Sequence, residues 1–238
     1  MNYFRRSEIT PAELERLAAY DRVVAAAIGA ATPPVRMRDW ELSRVLDGME
    51  GAGPDEPILE LGSFNTYLGA FLKTRFSEVT VSDRLGQRRL KSLWRSLGLA
   101  PAKPHEASYG GWMRSMRRAG LSPRDIDGTD IPFPDRSFSR VIALSVIEHI
   151  PAVERAIAEI YRVLRPGGRG LVTMDCAPEP KPYGEGVRYF SPVELEGLFA
   201  PYPVTSARNA PDFSRENWCY NRNRPIVPAF IEITRAAT

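Results

Sequence analysis

A glycine and a carboxylate each follow an apolar segment of the sequence, at positions where they could bind a ligand. Ile58–Leu61 is typical of a short buried strand, and Gly62 comes directly after it. A glycine at such a turn lets a ligand approach the backbone closely. Asp83 ends the next apolar segment, 21 residues after Gly62, where it could accept two hydrogen bonds from a ribose diol. The pattern predicts a site for a ribose-containing ligand. The alternatives are a turn without a ligand and an aspartate that caps the next helix.

A second group of reactive side chains flanks the strand predicted at 140–145. The loop 127–138 precedes this strand, and a carboxylate in it could accept a hydrogen bond from an adenine amino group. His149 follows the strand and is one of two histidines in the chain. A histidine there can be the general base for a hydroxyl acceptor, with Glu148 as the second candidate. Alternatively, His149 only bridges to the following helix.

Apolar strands alternate with amphipathic helices along the chain, as in a sheet that is covered on both faces. We therefore predict an α/β fold with a doubly wound, mainly parallel sheet. Helices are predicted over about 11–28, 39–49, 66–75, 87–97, 151–164 and 192–199. Strands are predicted over 58–61, 78–82, 140–145, 170–174 and 226–234. A further strand is expected within 98–124, yet no segment there has a clear strand pattern.

The composition indicates a single domain over residues 1–238, with a helical N-terminal extension at 1–50. The 43% hydrophobic and 26% charged residues are typical of folded chains and exclude overall disorder. Cys176 and Cys219 provide neither a disulfide framework nor a metal-binding cluster, so we predict no metal site. The apolar stretch 23–31 is too short to span a bilayer. We expect a cytoplasmic protein with reduced thiols.

Positive charge is concentrated between Arg84 and Arg124, where ten Lys and Arg residues accompany a single acid. We predict that 98–124 forms a basic insert or lid. Apolar and basic side chains could share a short helix within it, on opposite faces: Trp112, Met113 and Met116 against Arg114, Arg117 and Arg118. This segment would dock an anionic acceptor or a membrane surface; the alternative is a solvated basic face. Nucleic acid is not expected as a partner, because no recognition module accompanies the charge.

Five motifs follow one another in an order that resembles the class I S-adenosylmethionine-dependent methyltransferases. They are Leu-Glu-Leu-Gly at 59–62, Val-Ser-Asp at 81–83, Asp-Gly-Thr-Asp-Ile-Pro-Phe-Pro-Asp-Arg-Ser-Phe at 127–138, Ser-Val-Ile-Glu-His-Ile at 145–150 and Tyr-Arg-Val-Leu-Arg-Pro-Gly-Gly at 161–168. The third is similar to the loop of the branch with a Leu-Pro-Phe type sequence. Each motif alone is only weakly diagnostic, but the order and spacing of the five motifs over 58–174 are specific to the family that they resemble.

The resemblance implies a Rossmann-like sheet of seven strands, the last of them antiparallel, and S-adenosyl-L-methionine as the cofactor. It implies a cofactor-binding set with Glu60 and Gly62 at the methionine and ribose end, Asp83 at the ribose hydroxyls, Asp127 and Gly128 at the adenine, Ser145 near the sulfonium, and Ser63 and Arg84 beside them. The connection before the capped helix at Ser191 would cover the acceptor through Arg188, Tyr189 and Phe190. The alternative for this connection is a packed loop.

The glycine loop departs from the family pattern. The family usually has Gly-x-Gly-x-Gly, whereas this chain has Gly62-Ser63-Phe64-Asn65-Thr66. The side chains of Phe64 and Thr66 either narrow the methionine pocket or send the loop along another path.

The function implied by the resemblance is methyl transfer, by direct displacement, to a small or glycan- or lipid-linked acceptor that is anionic. A non-catalytic binding or partner protein of the same fold is the main alternative. A nicotinamide-dependent oxidoreductase fits less well, because Phe64 breaks the Gly-x-Gly-x-x-Gly pattern.

Overall fold

The structure is a computed structural model that describes residues 1–30, 38–64, 66–96, 109–184, 186–217 and 224–237. Its helices are α1 (Pro11–Ile28), α2 (Asp39–Gly48), α3 (Leu68–Lys73), α4 (Leu85–Ser96), α5 (Tyr109–Arg118), α6 (Val153–Val163) and α7 (Pro192–Phe199). Its strands are β1 (Asn2–Tyr3), β2 (Ile58–Leu61), β3 (Val79–Asp83), β4 (Arg124–Asp125), β5 (Phe138–Leu144), β6 (Leu164–Cys176), β7 (Lys181–Gly184), β8 (Val187–Tyr189) and β9 (Val227–Thr234).

Seven strands form one sheet in the order β1-β9-β6-β5-β2-β3-β4. The five neighbouring strands β6, β5, β2, β3 and β4 run parallel to one another, and β9 runs antiparallel to β6. Every residue of β2 and β5 is buried, as expected of central parallel strands that are covered on both faces. The prediction of a doubly wound, mainly parallel sheet of seven strands is confirmed.

Two of the seven strands were not predicted, because each is only two residues long. Arg124–Asp125 pairs with Ser82 and Asp83, and it begins at the last residue of the segment 98–124 in which a strand was expected. Asn2–Tyr3 pairs with β9 and adds an edge from the N-terminal segment. Hydrophobic periodicity needs more residues than these strands have, so their positions depend on their partners.

The N-terminal helices begin and end where the sequence indicates. The Glu13 amide donates to Thr10 Oγ1 over 3.2 Å, and α1 ends at Gly29, which has φ +63°. α1 contacts α3 and α5, while α2 packs on β5, β6 and β9. The predicted extension therefore covers part of the sheet. Its assignment to a single domain with the rest of the chain stays a prediction.

The segment 98–124 contains α5, and residues 97–108 lie outside the described residues. Trp112 and Met116 of α5 are fully buried, with 0% exposure each. Arg114, Arg117 and Arg118 are exposed. The two faces predicted for this helix therefore exist, but its apolar face belongs to the core. Among the described helices, none is long and apolar enough to cross a membrane.

Candidate active site

A cavity of about 730 Å³ lies where strands β2, β3 and β5 end. The last residues of these strands, Leu61, Asp83 and Leu144, all line it. Ligands of open α/β sheets bind at this edge. The sequence-predicted residues that the structure brings together in the lining are Gly62, Asp83, Arg84, Asp127, Gly128, Ser145 and His149.

The N-terminal helices supply a wall of this cavity that the sequence analysis did not foresee. Tyr20 and Val24 of α1 and Arg38 and Leu42 at the start of α2 line it. The interpretation of 1–50 as an extension placed no site residue there. No pattern in the sequence indicates that these helices lie near the ends of the strands, because only the tertiary fold brings them together.

Asp83 is held at the cavity wall by the turn that follows β2. Its side chain is 5% exposed, and its Oδ2 accepts the Phe64 amide over 3.1 Å. Ser63 is buried beneath the turn, and both its amide (2.8 Å) and its hydroxyl (3.1 Å) donate to the Ser82 carbonyl. Ser63 thus fastens the turn to β3 and does not line the cavity.

Gly62 cannot carry a side chain without displacing its neighbours. It has φ +66°, and a Cβ would lie 3.1 Å from Val146 Cβ and closer still to the Val146 methyl groups. We expect Gly62→Ala to lower the free energy of unfolding by about 2 kcal/mol more than a glycine replacement with backbone strain alone.

The matched control for this prediction is Gly51→Ala. Gly51 has φ +77°, and a Cβ there would meet nothing within 4 Å. Urea unfolding of both variants separates the destabilisation caused by the clash with Val146 from the destabilisation caused by a side chain at positive φ. Equal losses in the two variants would contradict the packing argument.

The side chains that replace the family glycines line the cavity but are anchored elsewhere. The Phe64 ring makes an edge contact with Trp112, with centroids 5.4 Å apart. Thr66 Oγ1 donates to Glu60 Oε1 over 2.6 Å. Tyr67 then takes φ +55°, a strained value for a residue with a side chain. These contacts give the loop a defined path around the cavity.

Glu60 lies under this loop and does not line the cavity. It is 1% exposed, and its Oε2 has no well-formed hydrogen bond to the described residues. Burial raises the pKa of Glu60 to about 7, against the lowering effect of the Thr66 hydrogen bond and the nearby Gly69 amide. Glu60 therefore changes protonation close to neutral pH.

The raised pKa of Glu60 predicts a pH-dependent cost in stability. The folded-state pKa exceeds the unfolded value, so the stability that Glu60 contributes is lost as the pH rises from about 4 through about 7. Glu60→Gln cannot ionise and should escape this loss. We expect the variant to be more stable than wild type by about 2 kcal/mol at pH 7, with no advantage at pH 4.

Thermal and urea unfolding at both pH values check this prediction, with Glu78→Gln as the control. Glu78 is exposed just before β3, and its variant should follow wild type at both pH values. An advantage of Glu60→Gln that is the same at pH 4 and pH 7 would contradict the burial argument.

Asp127 is ionised and already has partners. Its Oδ1 accepts the amide (2.9 Å) and the hydroxyl (2.8 Å) of Thr129, and its Oδ2 pairs with Arg84. The Thr129 amide is the main cause that holds the pKa of Asp127 below its usual value, with the Arg84 guanidinium adding to it. Gly128 follows, where a Cβ would lie 3.0 Å from Ile150 Cδ1. This end of the cavity therefore presents a fixed negative charge beside a narrow backbone turn.

Ser145 and His149 form the opposite end of the lining. Ser145 has φ +50°, its amide donates to Thr173 Oγ1 over 2.9 Å, and its hydroxyl donates to Glu148 Oε1. His149 Nδ1 lies 2.5 Å from the Gly186 carbonyl oxygen. A carbonyl only accepts, so Nδ1 carries the proton, and Nε2 is the basic nitrogen of the neutral ring.

The comparisons with known proteins agree with this geometry. A family profile described as "Methyltransferase domain" matches residues 112–172. The solved geranyl diphosphate C-methyltransferase of Streptomyces coelicolor superposes with a TM-score of 0.55 at 14% identity, over 95% of this chain and 99% of that one. Residues 112–172 are therefore similar to a methyltransferase domain, and the chain shares its fold with a solved methyltransferase.

Curated relatives match shorter parts of the chain. A demethylmenaquinone methyltransferase of Symbiobacterium thermophilum is 34% identical over 80 residues, which are 31% of this chain and 30% of that protein. A sterol methyltransferase-like protein of Botryococcus braunii is 44% identical over 59 residues, 23% of this chain and 15% of that protein. The chain thus spans less than a third of the length of either relative.

Behind Ser145, the structure buries carboxylates that the sequence analysis had largely missed. Glu148 and Glu41 are 1% and 0% exposed, and Glu148 Oε2 and Asp175 Oδ1 have no hydrogen-bond partner among the described residues. Burial, followed by the charges of Glu148 and Glu41, raises the pKa of Asp175 well above its usual value. Burial likewise raises the pKa of Glu148. The Arg38 guanidinium, 3.4 Å from Glu41, offsets part of this charge.

The residues predicted to cover the acceptor lie outside the lining of the cavity. Arg188 pairs with Glu194 over 2.9 Å and lies over the Phe190 ring. Phe190 is fully buried, and Tyr189 lies on β8, opposite Lys181. The β7–β8 hairpin reaches the cavity through Gly186 instead. A contact of these three residues with an acceptor stays a prediction.

Proposed function

We propose that this chain is an S-adenosylmethionine-dependent methyltransferase that holds its cofactor in the cavity at the ends of β2, β3 and β5. The observation that carries this proposal is the meeting of Gly62, Asp83, Asp127 and Ser145 in one lining. These four residues are spread over 84 positions of the sequence, and the family resemblance gives each of them a cofactor contact.

The cavity suits the proposed cofactor in size and in chemistry. A volume of about 730 Å³ is within the range of small-molecule sites. The Asp83 carboxylate can accept hydrogen bonds from a ribose diol, and ionised Asp127 can accept one from an adenine amino group. Leu61, Val146 and Ile126 add apolar walls between them. Glu60 and Ser63 would support the site from beneath the turn.

The direct displacement requires alignment more than chemical help from the protein. When bound, S-adenosylmethionine supplies a methyl group activated by its sulfonium. Ser145, fixed by Thr173 and Glu148, would border that end of the cofactor. His149 Nε2 would take the proton from an acceptor hydroxyl, while the Gly186 carbonyl holds the ring through Nδ1.

The acceptor class that the cavity supports best is a lipid-linked molecule with an ionisable or anionic head. Arg38 is a cation of the lining, and its charge acts on Glu148 beside Ser145, so it suits a negative head group at that end. The two relatives are named for demethylmenaquinone and for a sterol, both of which are lipophilic. Within this proposal the acceptor is a small molecule, and the activity is cytoplasmic or at the cytoplasmic face of a membrane.

Calorimetry and product analysis together test the proposed function. The full chain should bind S-adenosylhomocysteine at one site, and it should methylate at least one member of a panel of reduced demethylmenaquinone, a sterol and phosphatidylethanolamine. Mass spectrometry of the lipid fraction detects the product. A chain that binds no cofactor at millimolar concentration would favour the alternative, a non-catalytic binding protein of the same fold.

A further inference from the structure

Helix α4 exposes an apolar face that the sequence pattern alone would place in the core. Leu90, Leu93 and Trp94 follow helical spacing and share one side of the helix. They are 49%, 52% and 49% exposed, respectively. Exposed apolar side chains that cluster in this way mark an interaction site.

The charges of α4 are all of one sign. Its sequence holds Arg88, Arg89, Lys91 and Arg95 and no acidic residue. α4 contacts α5, which adds exposed Arg114, Arg117 and Arg118. A helix that combines an apolar face, including a tryptophan, with a cationic composition is typical of segments that lie in the interface of an anionic membrane.

Charge complementarity selects a lipid surface over a second copy of the chain. Two copies joined through α4 would bring the same cations together, and like charges repel. An anionic bilayer offers negative head groups to Lys91, and an apolar layer to Leu90, Leu93 and Trp94.

The position of α4 links this surface to the cavity. Gln87 and Lys91 line the cavity, and Leu90 and Trp94 are one and three residues away from Lys91 on the same helix. A bilayer that contacts the apolar face would therefore lie beside the cavity.

We propose that α4 docks the chain on anionic lipid bilayers through Leu90, Leu93 and Trp94, next to the cavity. The docking itself does not depend on methyl transfer. The purpose of the docking would be to give a lipid-linked acceptor a direct route from the bilayer into the cavity. This purpose rests on the proposed function. The surface differs from the one that the sequence predicted, since Trp112 and Met116 are in the core.

Vesicle co-sedimentation of the full chain without a methyl donor tests the docking. The vesicles are phosphatidylcholine alone or an equal mixture with phosphatidylglycerol. We expect binding to the mixed vesicles only, and weaker binding at high salt. The triple variant Leu90→Ser, Leu93→Ser, Trp94→Ser should lower the partition coefficient at least about tenfold.

The matched control is Val193→Ser, because Val193 is 77% exposed but lies on α7. This variant should bind the vesicles as wild type does. Brominated lipids in the mixed vesicles should quench tryptophan emission of wild type, and Trp94→Phe should lose most of that quenching. Circular dichroism shows whether each variant keeps its fold.

Several results would overturn the proposal. They are no binding of wild type to mixed vesicles, equal binding of the triple variant, and a wild-type dimer in sedimentation velocity that the triple variant abolishes. Because the vesicle assay contains no cofactor, its failure is distinguishable from a failure of the calorimetric test of the proposed function.

Discussion

Asp83→Ala is expected to weaken the binding of S-adenosylhomocysteine by more than about 100-fold. The carboxylate lies at the cavity wall and is 5% exposed, so hydrogen bonds from a ribose diol would form there with little competition from water. Two charge-assisted hydrogen bonds contribute about 3 kcal/mol together. Isothermal titration calorimetry of wild type and variant measures the loss.

Asp125→Ala is the matched control for this experiment. Asp125 pairs with Asp83 in the β3–β4 register and is not part of the cavity lining. It accepts the Leu85 amide over 2.9 Å, so its loss weakens the start of α4 but removes no side chain of the cavity lining. We expect its affinity to stay within about twofold of wild type. If Asp83→Ala bound S-adenosylhomocysteine with wild-type affinity, the assignment of Asp83 to the ribose would be wrong.

The second large effect concerns catalysis. His149→Ala is expected to lower kcat for a hydroxyl acceptor at least about 100-fold, because general bases contribute this much or more. The affinity for S-adenosylhomocysteine should stay near that of wild type, since His149 is assigned to the acceptor and not to the cofactor.

Steady-state kinetics with reduced demethylmenaquinone, or with whichever acceptor of the panel is methylated, measures this effect. His149→Gln tests the same role with a side chain that fills the site and cannot take the proton. If both variants keep kcat, His149 only holds the hairpin through Gly186. The proton would then leave by another route, for which Ser145 and Glu148 are the nearest groups.

The central part of the fold could be predicted because its strands carry their own signal. Residues 58–61, 79–83 and 138–144 are apolar enough to need burial, and caps such as Ser191 with Glu194 depend only on local sequence. The two-residue strands at 2–3 and 124–125 have no such signal. They exist because β9 and β3 present unpaired edges to them.

The candidate site was predictable where a side chain ends a strand or directly follows it. Asp83 and Ser145 meet this condition, since parallel strands end at one edge of the sheet. Glu41 and Asp175 were missed, because α2 and the end of β6 are brought behind Ser145 only by the packing of distant segments. Leu90, Leu93 and Trp94 illustrate the opposite case, in which a helical pattern that normally indicates burial faces solvent.

A crystal structure of the full chain with S-adenosylhomocysteine would show directly whether the cofactor binds in this cavity. We expect the ribose at Asp83, the adenine beside Asp127 and Gly128, and the sulfur at the end of the cavity that Ser145 and His149 line. A ligand bound elsewhere, or in this cavity with its adenine at Ser145, would contradict the proposed site.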